Sequence, residues 1–300
     1  MKKKTQQPET HMPTQIPEIV QGIREVHVES WEQFCEHIKT RHSFCPALIY
    51  RGQGRAEWPI VSKVDRIESR FAQVPNRLGN TPRVFNCPPV DRRTHLRAFK
   101  EAARGRRRQN PPDLTEDQWW ALGQHHGLST PLLDWTRSPF VALFFAFEDE
   151  LLRDEQDRLS KPVNRAVISV SANAICDGDE AEKSEPPRPF SPLGETTPRL
   201  INQSGVFLRM PEKCDLESYV KTHFKRECSA DMGEAARCIL EKIVIPNAER
   251  RACLRYLNKM NINRMTLFPD LDGAARYVDA LWELEFDTSL GYIPDTLPGS

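Results

Sequence analysis

The run Pro139-Phe140-Val141-Ala142-Leu143-Phe144-Phe145-Ala146-Phe147 is apolar on every side. A helix built from it has no face to offer to water, so the rest of the chain has to enclose it. Ser138 is a good N-cap and Pro139 a good first helical residue, which places the start of that helix. The run is too short to span a bilayer, which takes about 20 apolar residues. Immediately before it come two Trp, the pair His125-His126 and the pair Asp134-Trp135. Polar groups beside so much apolar surface either hydrogen-bond internally or line a cavity. Trp119–Glu148 is therefore expected to form the floor of a site.

Apolar patterning around that helix predicts what encloses it. Short strands are expected at Val26–Val28, Ala47–Tyr50, Ala166–Val170, Val206–Leu208 and Leu240–Ile245. Helices are expected after Ser30, over Thr94–Arg108, over Gln118–His125 with Gly127 as its stop, and over Ala248–Met260 and Gly273–Glu283. Leu128–Thr136 reads as an irregular or strand-like crossing. The fold class expected is α+β: a mixed, mostly antiparallel sheet core surrounded by helices. Residues 1–22 read as a disordered arm, 23–287 as one domain with a flexible insertion at 177–199, and 288–300 as a tail.

The 42 basic and 42 acidic side chains cancel, so only local clusters can speak for an anionic partner. One such cluster is Arg104, Arg106, Arg107 and Arg108. It could bind nucleic-acid phosphate, or its cations could complement a helix C-terminus. None of the eight Cys forms a C-x-x-C, and no Cys/His grouping has zinc spacing, so no metal is expected. The first residues lack an apolar leader core. The expectation is a cytoplasmic protein with reduced thiols and no membrane contact.

Arg51 is the most suggestive single residue. It ends a buried strand and enters Gly52-Gln53-Gly54. A planar guanidinium there suits bidentate binding of phosphate or carboxylate, and it could equally partner Asp134. His125 could act as a general base, although two adjacent helical His cannot easily serve one site. Asp134 needs a partner if buried, with Arg51 and Arg137 the candidates. No nucleophile-elbow pattern supports a Ser-His-Asp triad.

Several of these blocks together resemble the FRG domain: Tyr50-Arg51-Gly52-Gln53; Gln124-His125-His126-Gly127-Leu128 through Thr130, Leu132-Leu133-Asp134-Trp135-Thr136; and Ser138-Pro139 leading into Ala142–Ala146. Asn202-Gln203, Gly205 and Phe207 fit the same pattern, as do Leu267–Leu271 and Gly273, so the resemblance runs over roughly residues 25–285. Tyr50 stands where the family name has Phe. The family is mostly prokaryotic or viral, and the resemblance implies no settled reaction. A second, weaker resemblance is to ADP-ribosyltransferases: an aromatic-Arg-Gly strand end, a Ser/Thr-bearing strand before an Ala/Phe-rich helix, and a Glu on a later strand. The Ser-Thr-Ser of that pattern is absent here, and Glu241 has no acidic residue or Gln two positions before it.

These resemblances imply an ADP-ribosyltransferase-like fold and an NAD-using transferase or glycohydrolase acting in prokaryotic defence or as a toxin. Arg51, Gly52, Gln53, Gln124, Thr136, Ser138 and Gln203 would hold NAD, and Glu241, His125 and Asp134 would be catalytic. The alternatives are a non-catalytic module for nucleotide or nucleic-acid phosphate, or a protein-interaction domain.

Overall fold

The structure is a computed structural model. It describes residues 17–42, 47–72, 91–107, 113–148, 163–176, 185–192, 198–224 and 238–285. Arg108, most of the expected arm, the expected tail, and 177–184 and 193–197 of the expected insertion lie outside those residues. Seven strands form one sheet: β1 (Ile23–His27), β2 (Leu48–Gln53), β3 (Leu132–Thr136), β4 (Asn164–Ser171), β5 (Arg188–Phe190), β6 (Gly205–Arg209) and β7 (Leu240–Pro246), in the order β1-β7-β4-β2-β3-β6-β5. Only β1 and β7 are parallel. The other neighbours are antiparallel, so the expected fold class holds.

Ten helices are present among the described residues: α1 (Trp31–Arg41), α2 (Lys63–Ala72), α3 (Arg92–Ala102), α4 (Glu116–His125), α5 (Pro139–Glu148), α6 (Pro198–Asn202), α7 (Leu216–His223), α8 (Arg250–Lys259), α9 (Arg264–Leu267) and α10 (Leu271–Glu285). None is long and apolar enough to cross a membrane.

The all-round apolar helix is α5. It fills the middle of one core with α1, α8 and one face of β1, β7, β4 and β2, contributing Leu143, Ala146 and Phe147 at 0% exposure. Gly52 explains how it lies so close to β2. A Cβ on Gly52 would stand 2.0 Å from the Ala142 carbonyl oxygen and 2.5 Å from the Ala146 nitrogen. The strand thus meets the helix backbone directly, which only Gly permits. The opposite sheet face carries Ile49, Ile168, Leu133, Trp135 and Leu208 under α7.

Helix starts follow local chemistry. Ser30 accepts from Gln33 N, Thr115 and Gln118 form a reciprocal capping box, and the Ser138 hydroxyl accepts from Val141 N at 3.3 Å. Gln33 reaches back to the Glu29 nitrogen rather than to that of Ser30. Gly127, at φ +86°, ends α4 where a C′ glycine was expected.

Two differences stand out. Arg188–Phe190, inside the expected insertion, is an edge strand paired with Phe207–Arg209. Pro189 fits there because an edge strand has a side free of ladder bonds. The helix expected over Thr94–Arg108 begins earlier, at Asp91 as N-cap, and ends at Ala102.

Candidate functional site

β2 and β3 are neighbours, yet they share a single registered pair, Tyr50 with Thr136. Beyond it Arg51–Gln53 and Leu132–Trp135 run apart, and a cleft opens between them. Its cavity is about 1260 Å³, with both strands, α4, α6 and the α9–α10 turn contributing to the wall. Ligand pockets commonly measure roughly 300–1,000 Å³, so a dinucleotide would fit.

Arg51 spans the gap, Nη1 donating to the Asp134 carbonyl oxygen at 2.7 Å. Surrounding protein pushes its pKa below the usual arginine range, against the pull of Asp134. It stays a cation at neutral pH all the same. The Asp134 carboxylate is exposed and accepts from Gln124 Nε2 at 2.7 Å, and Gln124 Oε1 in turn accepts from the Thr130 hydroxyl. The expected Arg51–Asp134 partnership is therefore made through the backbone oxygen, which leaves the carboxylate facing the cleft. Arg137 is not needed for it.

The polar blocks of the sequence meet here. The Thr136 hydroxyl donates to the Gln203 carbonyl at 2.6 Å and accepts from Ser138 N at 3.0 Å, while Gln203 Nε2 donates to the Leu267 carbonyl at 3.0 Å. Those bonds tie β3, α6 and α9 into one wall. Gln53 is buried, and its amide holds the Trp58 carbonyl at 2.6 Å, fixing the loop that carries the partly exposed Trp58 at the cleft. His125 is exposed at the end of α4. Burial lowers its pKa, with help from His126 and Arg199 and opposition from Asp270. An unprotonated imidazole at neutral pH can accept a proton or a hydrogen bond.

Seven arginines face five carboxylates around the cleft. Among the described residues Arg66 and Arg199 have no carboxylate partner, and Arg199 lies 4.2 Å over the Phe268 ring. Neither is among the expected site residues. Arg66 sits on α2, which is not among the expected helices, and Arg199 falls at the end of the expected insertion. The amphipathic run Lys63–Ala72 after Ser62 would have revealed α2. The basic cluster divides. Arg106 donates to the Ala102 carbonyl at the end of α3, the helix-terminus role, while Arg107 lies 4.8 Å over the Trp119 ring at the cleft edge.

Residues 46–155 match the family model of the FRG domain. The chain contains an FRG domain. The matched stretch runs from the approach to β2 past the end of α5, so it takes in Arg51, Gln124, His125, Asp134 and the helix that supports them. Gln203 and the Leu267–Gly273 block complete the cleft from outside it. No curated protein and no solved structure gives a significant match to this FRG-domain chain.

Two expected site residues do not join the cleft. Ser138 caps α5. Glu241 lies on β7, two strands from β2, at 3% exposure. Its Oε1 accepts from Arg24 at 3.1 Å, and its Oε2 is 2.9 Å from His37 Nε2 and 2.7 Å from His42 Nε2. Burial alone pushes the Glu241 carboxyl up, but the two imidazole hydrogen bonds outweigh it and hold the group well below the usual carboxylate range. The order of elements along the chain is as expected. What it could not convey is that this carboxylate is already enclosed by two His and an Arg. Tyr50 links the two regions, its hydroxyl 3.2 Å from His42 Nδ1 while its neighbour Arg51 faces the cleft.

Proposed function

We propose that the cleft of this FRG-domain protein binds a phosphate-bearing nucleotide, with NAD as the ligand to test first. The observation that carries the reading is the position of Arg51. One guanidinium nitrogen is fixed on a backbone oxygen at the point where two strands stop pairing. A guanidinium held in this way keeps further N–H donors for an anion and loses little freedom on binding. Arg66 and Arg199 supply additional unpaired positive charge around the same cavity, which is large enough for a dinucleotide.

If NAD is consumed as well as bound, by ADP-ribosyl transfer or glycohydrolysis, positive charge develops on the ribose as the glycosidic bond breaks, and a carboxylate must stabilise it. Asp134 is the better candidate than Glu241, because it is exposed to the cleft and oriented by Gln124. His125 would act as the base towards an acceptor or water. An effector role in prokaryotic defence or as a toxin follows only if that turnover exists.

Calorimetry with NAD and ADP-ribose, followed by chromatography of NAD after incubation, tests the reading. Binding is expected in the wild type and lost in Arg51→Ala. Asp134→Asn is expected to keep binding and lose turnover, and Glu241→Gln to keep both while folded. A folded wild type that binds neither compound overturns the proposal. In that case Arg107 over Trp119 would favour the nucleic-acid reading, through Arg104, Arg106, Arg107 and Arg108, and salt-dependent RNA or DNA binding would report it.

A further inference from the structure

The enclosed cluster on β7 carries its own chemistry. His37 Nε2, His42 Nε2 and a Glu241 carboxylate oxygen lie within 4.8 Å of one another, the only such convergence of His, Cys, Asp or Glu donors among the described residues. The three come from the body of α1, the residue that caps its end, and β7. We propose that they form a binding site for one divalent transition-metal ion of the zinc type, which clamps α1 onto the sheet.

Two imidazoles and a carboxylate are a donor set zinc accepts, with a fourth position left for water. Outer partners of the kind such ligands use stand at two of the three, Glu241 and His42. Arg24 holds Glu241 Oε1 at 3.1 Å, leaving Oε2 to the imidazoles, and the Tyr50 hydroxyl stands 3.2 Å from the far nitrogen of His42. Partners of this kind fix ring orientation and tautomer in metal sites. The present spacings of 2.7 and 2.9 Å are hydrogen-bond lengths. Around a tetrahedral ion with bonds of about 2.0–2.1 Å, neighbouring donors stand roughly 3.3 Å apart. Loading therefore requires the donors to part by about half an ångström, which the end of a helix can supply.

Arg24 sets the strength. Its charge already balances Glu241, so an added dication meets a guanidinium nearby, and binding is weaker than at a site with a free carboxylate. The site is a clamp and not a second reaction centre, because every ligand side chain is nearly sealed from solvent.

The test uses the full chain, stripped with a chelator and titrated with Zn²⁺ by calorimetry, with thermal melts in parallel. One Zn²⁺ per chain is expected, with an upward shift of the melting midpoint as a ligand of the folded state must give. His37→Asn and His42→Gln, which can still hydrogen-bond Glu241, should weaken binding at least tenfold. Arg24→Met should tighten it. Should a variant fail to fold, Co²⁺ added to the wild type decides, since a tetrahedral site gives intense visible absorption and adventitious surface binding does not. Absence of stoichiometric Zn²⁺ uptake, equal uptake by the folded His variants, or no tetrahedral Co²⁺ spectrum overturns the proposal. None of these outcomes depends on the nucleotide reading.

Discussion

Arg51 and Asp134 face each other across the one place where the central sheet comes apart, joined by a 2.7 Å bond from guanidinium to backbone oxygen. The strands that carry them pair only at Tyr50 and Thr136. The bond therefore does for the sheet what the missing ladder would have done, and it aims a cation into the opening. Arg51→Lys keeps the charge but loses the planar fork. It is expected to leave the fold within about 1 kcal/mol of wild type, as for a partly exposed position, and to lower affinity for NAD or ADP-ribose at least tenfold. Calorimetry beside a urea melt separates the two effects.

Gly52 lines the cleft, and its missing side chain is required for packing. An added methyl would meet the Ala142 carbonyl oxygen at 2.0 Å and the Ala146 nitrogen at 2.5 Å. Both are helix backbone, so neither can rotate away. Gly52→Ala should destabilise by about 3 kcal/mol or more, the upper end of overpacking costs, and reduce soluble yield. Gly127, at φ +86° with nothing near its missing Cβ, provides the contrast. Gly127→Ala should cost about 1 kcal/mol, the conformational penalty alone. Chemical denaturation of the two variants ranks them.

Asp65 on α2 and Arg92 on α3 form a buried ion pair at 2.8 Å, and Arg92 also donates to the Met210 and Pro211 carbonyls. The pair fixes both helices to the end of β6 beside the cleft. Removing one member strands a charge in the interior. Asp65→Ala should therefore cost about 3–5 kcal/mol. Asp65→Asn, which keeps an acceptor, should cost less. An equal loss in both would mean that the charge alone, and not the retained acceptor, is what matters at this position.

Much of this architecture could be read from the chain. Apolar runs marked β1, β2, β4, β6 and β7, whereas Leu132–Thr136 reads only as an irregular or strand-like crossing and β5 falls in the expected insertion. The Ser138-Pro139 start with an all-round apolar sequel identified α5 as the enclosed support of the sheet, because burial on every side leaves an unmistakable composition. The cleft was half legible. Arg51, Gln124, Asp134 and Thr136 occupy short stretches rich in polar residues among apolar ones, and such residues can be singled out locally. Arg66 and Arg199 could not, since a surface arginine looks the same whether it faces solvent or a cavity. Nor could the fate of Glu241. His37 and His42 lie some 200 residues before it in sequence, and only the parallel pairing of β1 with β7 and the packing of α1 bring them together.

His125 offers a pH test of the cleft. Burial is the main cause of its lowered pKa, the positive charges of His126 and Arg199 add to it, and Asp270 opposes them. The folded protein thus holds this proton less tightly than the unfolded chain, whose His titrates near 6.5. Stability from this group is complete above that value and declines as pH falls through the lower folded pKa. The side chain is exposed, so the change in stability is small, and the ring signals in an NMR titration are the better readout. Their midpoint should lie below that of an unstructured His. Arg199→Ala should raise it and Asp270→Asn should lower it further. A phosphate bound near Arg199 would favour the imidazolium and raise the midpoint, so a titration repeated with ADP-ribose reports whether the ligand sits in this part of the cleft. A midpoint unmoved by either substitution would show that His125 does not sense these charges.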